Sequence, residues 1–107
     1  MKLPASIQTY FDADKAGGAA IPLDAFAPDA IVEDEGKTHV GHDAIQGWWR
    51  AAKDQYQHTT DPFEIVEQKG FSVVRARVTG RFPGSPAFLT FAFQLAYGRI
   101  SRLEISA

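Results

Sequence analysis

At Tyr56 the chain changes period. Before it, apolar residues recur at helical spacing; after it they alternate, in runs at roughly 57–68, 71–82, 86–97 and 99–106. Lys69-Gly70, Pro83-Gly84-Ser85-Pro86 and Tyr97-Gly98 lie between those runs and carry turn chemistry. Helices first, then strands joined by short turns, predicts an α+β fold with an antiparallel sheet. A chain of 107 residues holds one core, so a single domain over 1–107 is expected.

In the helical half, Pro4 suits a first helical turn, and Ile7, Tyr10, Phe11 and Asp14 share one face. Gly17-Gly18 is the stop. Pro22 is expected to open a short helical segment to about Phe26, closed by Pro28. Ile31–Asp34 and Lys37–Val40 then read as short strands around a two-residue Glu35-Gly36 bend. Opposed residues share a face, which puts Val32, Asp34, Lys37 and His39 on one side and Ile31, Glu33, Thr38 and Val40 on the other. His42 or Asp43 can cap the next helix, which reaches roughly Gln55 and carries an apolar stripe of Ile45, Trp48, Trp49 and Ala52.

Alternation also assigns the faces of the long strands. Val74, Ala76, Val78 and Gly80 belong inside, opposite Arg75, Arg77, Thr79 and Arg81. Leu89, Phe91, Phe93 and Leu95 belong inside on the next run, and Leu103 and Ile105 on the last. The small side chains of the 71–82 run are expected to leave a hollow, which thirteen aromatic residues can line as well as fill.

Composition closes several alternatives. A net charge of -2 offers no basic surface for nucleic acid. The absence of cysteine removes disulfides, thiol nucleophiles and thiolate metal sites. His39 and His42 sit on a strand and a helix start, without ligand spacing, so no metal is expected. The first residues lack the apolar core of a signal peptide, and no run reaches the length of a membrane span. A cytoplasmic protein without membrane contact is the expectation.

Asp34 is the leading candidate for chemistry. On the inward face, among Tyr10, Phe26, Val32, Trp48 and the sheet aromatics, a carboxylate gains proton affinity by desolvation and suits a general base. On the outward face it merely flanks the bend. His39, diagonally across from Asp34, either shuttles protons or bonds to backbone or solvent. Trp48 and Trp49 either divide between sheet and pocket or both enter the core.

The pattern FAPDAIVED followed by VGHDAI resembles the nuclear transport factor 2-like superfamily, in particular its SnoaL-like branch, and the likeness runs over nearly the whole chain. It implies a curved antiparallel sheet wrapped around helices as a cone with an apolar pocket, a cystatin-like α+β roll. Tyr56 and His58 then fall at the cone mouth, and Phe91 and Phe93 on its wall. Family activities include polyketide cyclisation, ketosteroid isomerisation and dehydration, without cofactor; other members only bind ligands or dimerise. Asp34 falls where the ketosteroid isomerase branch keeps its catalytic aspartate, and Tyr10 where it keeps an oxyanion-donating tyrosine. Phe91 stands where that branch has a second acidic donor, which argues against steroid isomerisation. The resemblance further implies a homodimer through the outer sheet face and a small hydrophobic or carbonyl-containing ligand. The chemistry expected of such a site is proton transfer next to a carbonyl; a non-catalytic ligand-binding or dimerisation module is the alternative.

Overall fold

The computed structural model describes residues 1–17 and 20–107. Helix α1 (Ala5–Ala16) begins after Pro4 and ends at Gly17, whose left-handed φ of 69° turns its N–H back to the Asp14 carbonyl. Gly18, the other half of the expected stop, lies outside the described residues. A 3₁₀ turn, Leu23–Ala25, leads into β1 (Phe26–Asp34), followed by β2 (Lys37–Val40), α2 (Gly41–Tyr56), β3 (Thr59–Gln68), β4 (Phe71–Thr79), β5 (Ala87–Ala96) and β6 (Arg99–Ser106).

The strands form one six-stranded sheet in the order β2-β1-β6-β5-β4-β3. Its edges do not meet, so this is a curved open sheet with two helices. Register shifts at Pro62/Glu64 in β3, and at Ser101 in β6 opposite Gln94/Leu95, mark bulges, which bend strands and deepen the curl.

Three expectations need correction. The sheet is not wholly antiparallel, because β1 pairs with β6 in parallel. Chain distance explains this: β1 and β6 are not sequence neighbours, and no hairpin forces their direction. Second, Pro28 does not end a helix; the extended chain already begins at Phe26. Pro28 lies in the register shift between Phe26 and Ile31, where its missing N–H breaks no ladder bond. Third, α2 starts at Gly41 with no side-chain cap. His42 Nε2 instead lies 3.0 Å from the Phe26 carbonyl oxygen, tying the helix start to β1.

Ile7 and Phe11 of α1, Ile45 and Trp49 of α2, and the inward residues Val32, Val74, Ala76, Phe93 and Leu103 make up the main core. Phe11 meets Phe91 and Phe93 edge-on, with centroids 5.4 and 5.7 Å apart. The outward side of the sheet exposes Phe63, Val66 and Phe88. Among the described residues no helix is long and apolar enough to cross a membrane.

Candidate functional site

The Glu35-Gly36 bend sets the direction of Asp34. Asp34 pairs with Lys37 and Val32 with His39, so Asp34 and Val32 share the inward side of β1. Val32 is deep in the core; Asp34, two residues nearer the bend, emerges half-buried on a cavity of about 100 Å³.

Each neighbouring element contributes to that wall. Tyr10 enters from α1, and Trp48, Trp49, Ala52 and Tyr56 from α2. His58 and Thr60 come from the start of β3, Leu89 and Phe91 from β5, and Ile105 from β6. Positions 48, 49, 52 and 56 are consecutive points on one helical face, so a single amphipathic stripe supplies one side of the cavity.

Trp48 Nε1–H donates to Asp34 Oδ2 across 3.0 Å and holds the carboxylate in place. Burial raises the Asp34 pKa above the ordinary carboxylate value; the Trp48 bond and the nearby His39 oppose that rise, and Glu35 adds to it. Tyr10 is almost wholly buried and packs edge-on against Trp49 at 5.4 Å and Phe93 at 5.5 Å. Burial, then the charges of Asp14 and Asp34, push its hydroxyl pKa well up, so it stays protonated and serves as a hydrogen-bond donor. At the mouth, the Tyr56 hydroxyl donates to Glu35 Oε1 at 2.7 Å.

Of the residues singled out in the sequence, Asp34, Tyr10, Trp48, Trp49, Tyr56, His58 and Phe91 come together on this cavity. Both tryptophans line it, rather than one alone, because the 48 and 49 positions straddle the helical face that meets the sheet. His39 does not line it. Its ring lies 6.2 Å from Trp48 in an adjoining groove of about 140 Å³ that also reaches Asp34, so it faces the outer side of Trp48. Phe26, Val32 and Phe93 are fully buried behind the wall, and the Tyr10 ring covers Phe26 and Phe93. The hollow expected over β4 is also misplaced: Val74, Ala76 and Val78 are core, and the cavity lies over β5, β6 and the end of β1.

A buried ionic cluster adjoins the cavity and was not legible as such. Lys53 Nζ reaches Asp14 Oδ1 at 2.7 Å, the Asp14 carbonyl at 2.9 Å and the His58 carbonyl at 2.9 Å, which uses its three protons. His58 Nε2 stands 3.2 Å from the same Asp14 Oδ1. Burial works to raise the Asp14 pKa, but the bonds from His58 and Lys53 and the Lys53 charge outweigh it, and the carboxyl is held below its ordinary value. One signal was present: Asp14 shares a stripe with Ile7, Tyr10 and Phe11, and Lys53 follows Trp49 by one helical turn. Among the described residues no group of three His, Asp or Glu side chains is placed to hold a metal ion.

Gly80 fixes where His58 sits. A Cβ there would come within 2.7 Å of the Tyr56 carbonyl oxygen and 3.0 Å of His58 Cα. Gly80→Ala is therefore expected to push out the 56–58 turn at a cost of about 1–3 kcal/mol, read from urea unfolding. A wild-type midpoint would show that this approach carries no constraint.

The SnoaL-like domain family matches residues 7–103. A protein of Sinorhizobium meliloti, provisionally named a polyketide cyclase, is 47% identical, with a TM-score of 0.91 over 97% of this chain and 95% of that one. A Catenulispora acidiphila protein with a ketosteroid isomerase-like fold, solved with trimethylamine, is 15% identical, with a TM-score of 0.84 over 99% and 87%. A cystatin-fold protein of Novosphingobium aromaticivorans is 16% identical, with a TM-score of 0.77 over 100% and 99%. A search of curated proteins gave no match.

Proposed function

Because the chain belongs to the SnoaL-like domain family, we propose that its aromatic cavity binds a small carbonyl-containing molecule and that Asp34 removes a proton next to the carbonyl. One observation carries this reading: a half-buried carboxylate of raised proton affinity lines the same largely aromatic cavity as the protonated hydroxyl of Tyr10. Asp34 takes the proton from carbon, the electron pair moves toward the carbonyl oxygen, and Tyr10 donates a hydrogen bond to the oxygen that gains charge. No cofactor enters these steps. The reaction class is isomerisation, cyclisation or dehydration through an enolate.

Cavity size narrows the guest. An engineered apolar cavity of about 150 Å³ takes up benzene, with six heavy atoms, so about 100 Å³ suits a guest of roughly four or five. A steroid or a fused polyketide is far larger, and the name attached to the Sinorhizobium relative extends here to carbonyl chemistry rather than to ring size.

Deuterium incorporation into butanone in D₂O, followed by proton NMR, tests the proposal without knowledge of the natural substrate. The protein is expected to accelerate exchange at the carbon beside the carbonyl. Tyr10→Phe is expected to slow that exchange about 100-fold, the usual loss when one oxyanion donor is removed. An unchanged rate would take Tyr10 out of the mechanism.

A second reading is favoured by the wall itself. Trp48, Trp49, Tyr10 and Tyr56 around Asp34 and Glu35 also form a cage of aromatic faces and carboxylates suited to a small alkylammonium ion. The Catenulispora protein was solved with trimethylamine, whose protonated form is an ion of this kind. In that reading the domain binds without catalysis. Calorimetric titration with trimethylammonium, together with absent exchange of butanone, would favour it.

A further inference from the structure

The cavity around Asp34 shares a wall with a larger space. A groove of about 330 Å³ lies beside it, and Glu35, Tyr56 and Leu89 line both. Phe82, Pro83 and Ala87 complete the groove, so Glu35 is the one charged residue in its lining. Ala87 and Leu89 are alternate positions at the start of β5, on the side of the strand that carries Phe91 into the cavity. Phe82 meets Tyr56 edge-on, with centroids 5.9 Å apart. Apolar surface therefore runs on from the cavity along β5 and the turn before it. The groove on the outer side of Trp48 differs, with Lys37, His39 and Gln55 in its wall. A side-chain bond from Tyr56 to Glu35 spans the shared partition. Glu35 is exposed at the bend, so its carboxylate exchanges that bond for water at little cost.

We infer that cavity and groove form one site for a carbonyl compound with an unbranched apolar chain, its carbonyl beside Asp34 and its chain laid past Glu35 and Tyr56 along Leu89, Ala87 and Phe82. The inference rests on the reading that Asp34 works on a bound carbonyl. The size limit of the cavity then applies to the reacting end of the guest, and the groove takes the remainder. The charge of Glu35 selects against a chain that ends in a carboxylate. A wholly buried methylene is worth about fourfold in affinity, and a half-buried one in an open groove about twofold.

Butanone and 2-octanone make the test, because they share the reacting end and differ by four methylenes. Deuterium exchange in D₂O is measured as kcat/KM for each. The value for 2-octanone is expected to exceed that for butanone roughly fifteenfold, the gain from four half-buried methylenes. In Ala87→Phe, where the added ring fills the groove, the ratio is expected to fall to about one. A wild-type ratio near one, or a ratio that survives Ala87→Phe, overturns the shared site and leaves the role of Asp34 standing. Absence of exchange with both ketones in the wild type overturns the role of Asp34 instead. Nuclear Overhauser contacts between 2-octanone and the wild-type protein read the groove by binding alone, and also serve where Ala87→Phe does not fold. The methyl group at the end of the chain is expected to contact the Phe82 ring. Contacts of that methyl with Trp48 or His39 in its place, or with no part of the protein, refute the inference.

Discussion

Lys53→Met is expected to destabilise the protein by about 3–5 kcal/mol, the usual cost of removing one partner from a buried ion pair. Methionine keeps most of the apolar stem over Trp49, where the ammonium lies 5.3 Å from the ring centroid, so the loss isolates the charge. The price falls on Asp14, which stays buried with no full counter-charge, facing His58 and Thr60. Asp14→Asn combined with Lys53→Met is expected to restore much of the loss, since an uncharged pair needs no counter-ion.

The pH dependence gives the sign. In the wild type the folded pKa of Asp14 lies below its unfolded value, so its contribution to stability is present above the unfolded pKa and fades as pH falls through the folded one. Without Lys53 the same carboxyl is governed by burial, its pKa rises, and the deficit of Lys53→Met should shrink on acidification. Urea unfolding at several pH values checks both statements. A loss below about 1 kcal/mol would mean that the pair holds nothing together.

Asp34→Asn is expected to slow the exchange of butanone about 1000-fold, within the range that a positioned general base contributes, and to leave ligand affinity largely intact. The isosteric amide retains an oxygen for Trp48 Nε1–H, so the wall keeps its shape. Folding responds in the opposite direction to catalysis. The folded pKa of Asp34 is raised, so its contribution to stability is present below the unfolded pKa and is lost as pH rises through the folded one. At neutral pH the variant should therefore be at least as stable as the wild type, a separation of activity from stability that a structural aspartate would not show. Wild-type exchange should rise with pH through a midpoint above the ordinary aspartate value. Retained exchange in Asp34→Asn would leave binding as the function of the cavity.

Much of this architecture was readable from local pattern. The shift to alternation after Tyr56, together with the turns at Lys69-Gly70 and Tyr97-Gly98, placed β3 to β6 within two or three residues of where they lie. Glu35-Gly36 fixed the register of β1 against β2 and put Asp34 on the same side as Val32, while which side faces inward stayed open until the fold was seen. Local reasoning failed where a distant partner decides. Pro28 looked like a helix stop because a single chain segment does not reveal that a bulge against β6 will receive it. His39 was placed on the correct side of the hairpin, yet the Trp48 ring separates it from the cavity.

Periodicity and turn chemistry act over a few residues, so the chain by itself determined most of its elements, the inward faces of the long strands and which residues share a side of the hairpin. Tertiary structure alone decided the volume of the hollow, the division of the aromatics between wall and core, and the meeting of Asp14 with Lys53, thirty-nine residues apart. Those outcomes depend on how α1 and α2 settle against the curved sheet, and packing between elements leaves no period in the sequence.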